Sequence, residues 1–346
     1  MHTNELVSVV VVTYNSEKTV IETLDSIASQ TYRNIELIVS DDYSKDDTVK
    51  KTKLWIEEHK DFFVNCRIIT TEENTGTVKN LNRGVKASKG GWIKILAGDD
   101  CLKNNAIEKY VIYTKNHPKC KMCISQVELF SNDGTVDKSI FDYYEYFFRA
   151  SNVSYREQWR NIKEELTFVG PTYFFSRELY DDVSGFDEKY VLMEEWPFCY
   201  NVLKKGNKIY AINEKLIRYR ISSTSVCHSR NNGLGNYQLY KDTATFFFKV
   251  RLPLLIKRGR FIHAWDETIK YAKEGMLQEH RDSKFWHILS KSLSLIYPSW
   301  YKKLFLVKPN SITINHGTTD FETLHENPTK RKLHTKGPVI IGKKVI

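Results

Sequence analysis

The chain has 346 residues, 41% of them hydrophobic, with 52 Lys and Arg against 42 Asp and Glu. That is enough for one large domain or two smaller ones with a packed core, which excludes a disordered chain. The net charge of +10 lies wholly beyond residue 250, where 18 basic residues face 8 acidic ones while residues 1–250 hold 34 of each, so the pattern is a basic appendage on a neutral body and not a nucleic-acid-binding core.

Ser8–Val12 is a β-branched run with no polar alternation, which predicts a strand buried on both faces of a parallel sheet. Thr13-Tyr14-Asn15-Ser16 follows as a loop and helix cap, and Val20, Leu24, Ile27 and Ala28 recur at helical spacing. Ile35–Val39 is a second strand and ends at Asp41-Asp42. A helix to about His59, a third strand at Arg67–Ile69, the turn Asn74-Thr75-Gly76 and a helix over 77–88 come next.

Trp92-Ile93-Lys94-Ile95-Leu96-Ala97 then reads as a fourth strand, ending at Asp99-Asp100. Strands alternating with helices imply right-handed βαβ units and a parallel sheet. Ligands of open α/β sheets bind at the carboxyl edge, and two acid pairs at strand carboxyl ends converge there. Adjacent carboxylates repel unless a cation accompanies them, and open oxygen ligand sets suit Mg²⁺ or Mn²⁺ holding phosphate. A solvated turn is the plain alternative, because Asp pairs also favour turns.

Ile124–Phe130 and Thr135-Val136, around Asn132-Asp133-Gly134, predict a hairpin, and Phe141–Phe148 is densely aromatic. A helix is expected over 154–165, a strand over 172–176, a helix from Glu194-Glu195 to about Lys205, and short strands at 208–212 and 216–219. From about Asn236 to Leu306 the pattern is helical, basic and aromatic. Cys120-Lys-Met-Cys123 lacks the second pair of a zinc site and reads as structural thiols. No apolar run reaches bilayer-spanning length and the N-terminus lacks a signal-peptide pattern, so the expectation is a cytoplasmic protein.

Four segments together carry a family resemblance over roughly residues 6–225. Ser8–Asn15 (SVVVVTYN), Ile35–Thr48 (IELIVSDDYSKDDT), Asn74–Asp100 (NTGTVKNLNRGVKASKGGWIKILAGDD) and Gly185–Gly206 (GFDEKYVLMEEWPFCYNVLKKG) resemble, in order and spacing, family 2 glycosyltransferases of the GT-A fold. The resemblance implies an α/β, Rossmann-like, mostly parallel central sheet flanked by helices, followed by a helical C-terminal region. It divides the chain into a catalytic domain at 1–225, a helical basic region at 226–308 and a tail at 309–346.

It also implies roles. Thr13, Tyr14, Asn15, Asp42, Lys79 and Asp99 would bind the nucleotide, with Tyr14 against the base and Asp42 accepting its imide N–H. Asp100, helped by Asp99, would hold Mn²⁺ or Mg²⁺ on the diphosphate. Glu195 would be the base that deprotonates the acceptor hydroxyl in an inverting transfer, and the donor would be a nucleotide-diphosphate sugar, a UDP-sugar by expectation. The acceptor would be a glycan or lipid-linked saccharide of cell-surface polysaccharide synthesis. Upstream motifs aside, Glu194 and Glu195 would read as helix-start acids favoured by the helix dipole.

Three positions depart from the family pattern. Leu81 stands where Arg is frequent, Glu195 where Asp is commoner, and Ser222 where a His often follows, with His228 out of register. Ser311–Ile346 resembles a piece of a hexapeptide-repeat acyltransferase, too short for the stacked coils such a solenoid needs. A sugar-nucleotide nucleotidyltransferase is an alternative, opposed by the glycine-free Thr13–Thr19 loop. An inactive carbohydrate-binding or scaffold protein is another. The basic and aromatic segment from about Phe246 to Leu306 suggests peripheral contact with an anionic membrane at the inner face of the cell membrane.

Overall fold

The computed structural model describes residues 5–132, 152–162, 170–222, 236–280 and 283–292, with residues 134, 136, 145, 148 and 149. The chain divides into two compact units, the division falling after Phe248.

In the first unit, β1 (Val7–Thr13), β2 (Ile35–Asp41), β3 (Asn65–Ile69) and β4 (Trp92–Ala97) alternate with α1 (Val20–Ala28), α2 (Thr48–His59) and α3 (Thr77–Ala87). All seven residues of β2 are buried, as are all of β1 except Val12, which lies between the extremes. Strands covered on both faces carry continuous apolar runs, so the lack of alternation in Ser8–Val12 is the parallel-sheet signal.

β5 (Cys101–Leu102), α4 (Ala106–Asn116), β6 (Met122–Phe130), α5 (Tyr155–Asn161), β7 (Phe174–Ser176), α6 (Arg177–Asp182), α7 (Glu195–Lys204), β8 (Tyr210–Arg220) and α8 (Tyr237–Phe246) complete this unit. The eight strands form one sheet in the order β3-β2-β1-β4-β7-β6-β8-β5. The β1–β2, β1–β4, β2–β3 and β6–β8 ladders are parallel, and β4–β7, β5–β8 and β6–β7 are antiparallel. The chain steps outward from β1 to β2 and β3, then returns to β4 on the other side of β1. That reversal opens a crevice at the carboxyl ends of β1 and β4, the switch point where such sheets bind ligands.

Several local expectations are corrected. The two short strands at 208–212 and 216–219 are one strand, β8, whose pairing with β6 shifts register around Gln126. A bulge of this kind bends the strand and breaks the simple alternation that would have joined them in sequence. Among the described residues β6 pairs with β7 and β8, while Thr135 of the expected hairpin lies outside them. Gly170–Thr172 is a 3₁₀ turn, and β7 starts only at Phe174. The short helix α6 was not foreseen; Ser176 caps it by accepting the N–H of Leu179.

The first unit also extends past residue 225. α8 belongs to it because Asp242 bonds the 191–193 backbone and Phe246 packs edge-on against Tyr190, Trp196 and Tyr200. Most of Phe141–Phe148, His228 and the acyltransferase-like tail lie outside the described residues. Cys120 and Cys123 are buried free thiols. The second unit contains α9 (Leu252–Lys257), α10 (Phe261–Glu279) and α11 (Lys284–Ser292). No helix among the described residues is long and apolar enough to cross a membrane.

Candidate active site

The loops after β1 and β2 are knitted together. Thr13 Oγ1 donates to Asp41 Oδ2 at 2.8 Å, and the Ser44 amide and hydroxyl donate to the same carboxylate at 2.9 and 2.6 Å. Asn15 sits in the left-handed region at φ 50°, with its amide on Ser44 Oγ and its side-chain oxygen accepting from the Lys45 amide, both at 2.8 Å. Thr13 and Asn15 therefore shape the crevice wall, and Tyr14 presents its ring on the rim, 48% exposed.

Asp42 is buried, and its carboxylate is fully used. It accepts the Thr75 amide at 2.9 Å, the Thr75 hydroxyl at 2.7 Å, the Gly76 amide at 2.7 Å and Arg83 Nη2 at 2.9 Å. These bonds fold the Asn74–Gly76 turn against β2. Gly76 is required there: its φ is 88°, and a Cβ would run into Val191. An imide N–H reaching Asp42 must displace one of these donors. Ile69, Thr75, Lys79 and Arg83, with Lys86, Ala87 and Glu188, line an adjoining open cavity of about 550 Å³. Leu81 is buried, facing the core from α3.

Past the turn that ends β4, Asp100 is 1% exposed. Its Oδ1 accepts the Arg220 amide at 2.9 Å, and its Oδ2 has no hydrogen-bond partner. Arg220 Nε donates to the Asp99 carbonyl at 2.8 Å, and its guanidinium also binds Glu22 and Asn132. Burial and the neighbouring Asp99 carboxylate push Asp100 well above the usual carboxylate range, and burial raises Asp99 too. An orphaned buried oxygen beside a second carboxylate fits a hard divalent cation. Among the described residues no cluster of three or more His, Cys, Asp and Glu surrounds it, so phosphate oxygens and water would fill the other positions.

Glu195 opens α7, and Glu194 is the residue before it. The Gly170 amide hydrogen-bonds Glu195, but burial outweighs it and lifts the carboxyl to about 7. Burial and the charge of Glu195 push Glu194 well above its usual range. Burial thus raises both carboxyls, and the two titrate as a pair. Gly170 leaves little room: a Cβ there would lie 3.1 Å from Glu194 Oε1 and 3.3 Å from Glu195 Oε1.

Two further buried charges brace this side. Lys94 Nζ donates to the carbonyls of Ile95 at 2.9 Å, Tyr173 at 3.4 Å and Pro171, tying β4 to the turn that carries Gly170. Burial lowers its amine to about 7, opposed by the Asp100 charge. Asp242 Oδ2 gathers three successive amides, Val191 at 2.8 Å, Leu192 at 2.6 Å and Met193 at 3.3 Å. Gln238 holds its other oxygen at 2.9 Å. The Val191 carbonyl in turn accepts the Val78 amide at 3.1 Å, joining the loop before Glu194 to the start of α3.

Thr13, Tyr14, Asn15 and Asp42 thus stand at adjoining strand ends, with Asp99 and Asp100 at the next strand over. Glu195 is linked to them through Gly170 and Lys94. Sequence reasoning missed Arg220, Lys94, Gly170 and Asp242. Lys94 carried a signal, a lone cation in a buried apolar strand. Asp242 carried none, since an acid in a helix is ordinary.

Residues 8–184 match the Glycosyl transferase family 2 profile. Glycosyltransferase GlyG of Streptococcus pneumoniae is 25% identical over 304 residues, 82% of this chain and 95% of that protein. TuaG of Bacillus subtilis, named for teichuronic acid biosynthesis, is 24% identical over 227 residues, 65% of this chain and 82% of that protein. Among solved structures, S. aureus TarS 1–349 in complex with UDP-GlcNAc superposes with a TM-score of 0.54 at 18% identity, covering 86% of this chain and 92% of that one. The mannosyltransferase PcManGT of Pyrobaculum calidifontis, with GDP-Man and Mn²⁺, gives 0.57 at 17% identity over 86% and 87%. The structural likenesses establish the shared fold.

Proposed function

This chain belongs to glycosyl transferase family 2 and is a glycosyltransferase, and from that premise we propose that it transfers a sugar from a UDP-sugar, with inversion and a divalent cation, to a hydroxyl of a glycan or lipid-linked saccharide. The observation that carries this reading is Asp100: a buried carboxylate oxygen without a donor, beside Asp99, at the carboxyl ends of β1 and β4.

Each part then has a task. Tyr14 packs on the nucleobase. Asp42 and the turn it folds form the floor beside it, with Lys79 and Arg83 facing the nucleotide. Asp100 and Asp99 would hold Mn²⁺ or Mg²⁺, which when bound would supply charge neutralisation to the leaving diphosphate. Arg220 fixes Asp100 from behind and leaves Oδ2 directed elsewhere.

Glu195 takes the proton of the acceptor hydroxyl as it attacks the anomeric carbon. A carboxyl raised to about 7 suits this, since a general base works best with a pKa near the working pH. Attack opposite the leaving group inverts the anomeric centre in one step. The UDP-GlcNAc and GDP-Man complexes of structural neighbours support a nucleotide-sugar donor, and the Mn²⁺ in one of them supports the cation. The name of TuaG supports a role in cell-surface polysaccharide synthesis. A lipid-linked acceptor would bring the chain to the inner face of the cell membrane.

The test is a panel of nucleotide sugars with Mn²⁺ and a saccharide acceptor, following release of nucleoside diphosphate and the anomeric configuration of the product by NMR. UDP released from one uridine donor, with an inverted product, is the expected result. Retention of configuration, or release from no donor, contradicts the reading.

A further inference from the structure

The second unit carries a corner whose composition and exposure fit neither a packed helix face nor an ordinary surface. α9 ends at Lys257 and α10 begins at Phe261. Every residue from Ile256 to Ile262, the run IKRGRFI, is exposed. Three are large and apolar: Ile256 is 48% exposed, Phe261 63% and Ile262 39%, and Trp265 follows one turn later at 50%. Three others are cations, Lys257, Arg258 and Arg260.

The corner is built, not frayed. Gly259 adopts φ 69°, which a glycine takes without strain. Its amide donates to the Ile256 carbonyl and the Arg260 amide to the Leu255 carbonyl, both at 2.9 Å. The same two helices bury other residues, Leu255 on α9 and Ala264, Ile269 and Tyr271 on α10. Their core-facing sides are therefore already supplied, and the apolar side chains at the corner are additional to them.

Charge identifies the occupant. No acid occurs between Asp242 and Asp266, and Asp266 and Glu267, the first acids on α10, are buried. Exposed apolar and aromatic tips in a stretch of sequence that carries cations and no acids match a surface with an apolar interior and anionic headgroups. Long cations reach the headgroups while the rings enter the boundary. A soluble protein partner would need acids placed against three cations around apolar pockets, whereas an anionic leaflet supplies both at any orientation.

We propose that the exposed corner Ile256–Ile262, with Trp265, docks this protein on an anionic membrane surface. This deepens the reading of a lipid-linked acceptor, yet vesicle binding and sugar transfer are measured separately, so either can fail alone.

The test is co-sedimentation of the full chain with phosphatidylcholine vesicles, with and without phosphatidylglycerol, at low and high salt. Binding to anionic vesicles at low salt, weakened by salt, is expected. The triple variant Lys257→Glu, Arg258→Glu, Arg260→Glu should lower partitioning by about a hundredfold or more, the scale of three cations near an anionic leaflet. Phe261→Ser with Trp265→Ser should also release the protein, while Lys53→Glu, an exposed cation on α2, should not. Unchanged thermal unfolding would verify that these surface variants fold. No binding of the wild-type chain at low salt overturns the proposal, as does binding that survives both corner variants. A concentration-dependent dimer dissolved by Phe261→Ser would assign the corner to a second copy and overturn it too.

Discussion

The main-chain amide of Arg220 donates to Asp100 Oδ1 at 2.9 Å, while Oδ2 of the same buried carboxylate has no partner. One oxygen is used to orient the group, and the other is left available. Burial and Asp99 hold the Asp100 pKa well above the usual carboxylate value. In the unfolded chain an Asp titrates near 3.9. Between that value and the folded one the native state binds more protons, so this group's contribution to stability falls as pH rises.

Asp100→Asn keeps the acceptor for Arg220 and never ionises. In chelator at neutral pH it should therefore melt above the wild type by about 2–4 °C for each kcal/mol relieved. Below about pH 4 the two should converge, because the wild-type group is then neutral in both states. Scanning calorimetry across pH checks this. A variant that melts lower at neutral pH would mean that the ionised carboxylate is already compensated.

If Glu195 is the general base proposed above, Glu195→Gln should lower kcat by at least about a hundredfold with the donor KM held, the proton transfer serving the acceptor and not the donor. Wild-type kcat should fall as pH drops below about 7, where Glu195 takes up its proton. Glu194→Gln should keep that limb, because Glu195 is still present to take up the proton. Steady-state kinetics over pH separates the two, and a limb that moves only in Glu194→Gln would transfer the role.

How much of this was legible in sequence differs by layer. β1 to β4 and their helices were readable because continuous apolar runs and helical spacing are local signals. The acid pairs were readable because they end those runs. Arg220 and Asp242 were not, since each acts on a residue far along the chain: the Arg220 amide on the Asp100 carboxylate, the Asp242 carboxylate on the amides of residues 191–193. β8 appeared as two strands because its bulge interrupts the alternation.

Asp242→Ala removes the acceptor for three amides before Glu194. Turnover should drop at least about tenfold with donor KM nearly unchanged, and Asp242→Asn, which keeps one acceptor oxygen, should recover part of it. Loss of donor affinity in step with turnover would place the effect on the Val78 side of the same loop.

Gly170→Ala places a methyl group 3.1 to 3.3 Å from the Glu194 and Glu195 side chains. With the base displaced, kcat should fall by about tenfold or more, geometry near the reacting atoms being exacting. UDP binding should be unaffected, which equilibrium titration of the variant would verify.

The most direct test of the central claim is calorimetric titration of UDP into the wild type and Asp100→Asn, with Mn²⁺ and with chelator. Mn²⁺ should tighten UDP binding to the wild type by at least about tenfold, or 1.4 kcal/mol, and leave Asp100→Asn unchanged. Equal affinity with and without Mn²⁺ in the wild type, or a metal effect that survives in the variant, would contradict the assignment of this crevice as a metal-assisted nucleotide-sugar site.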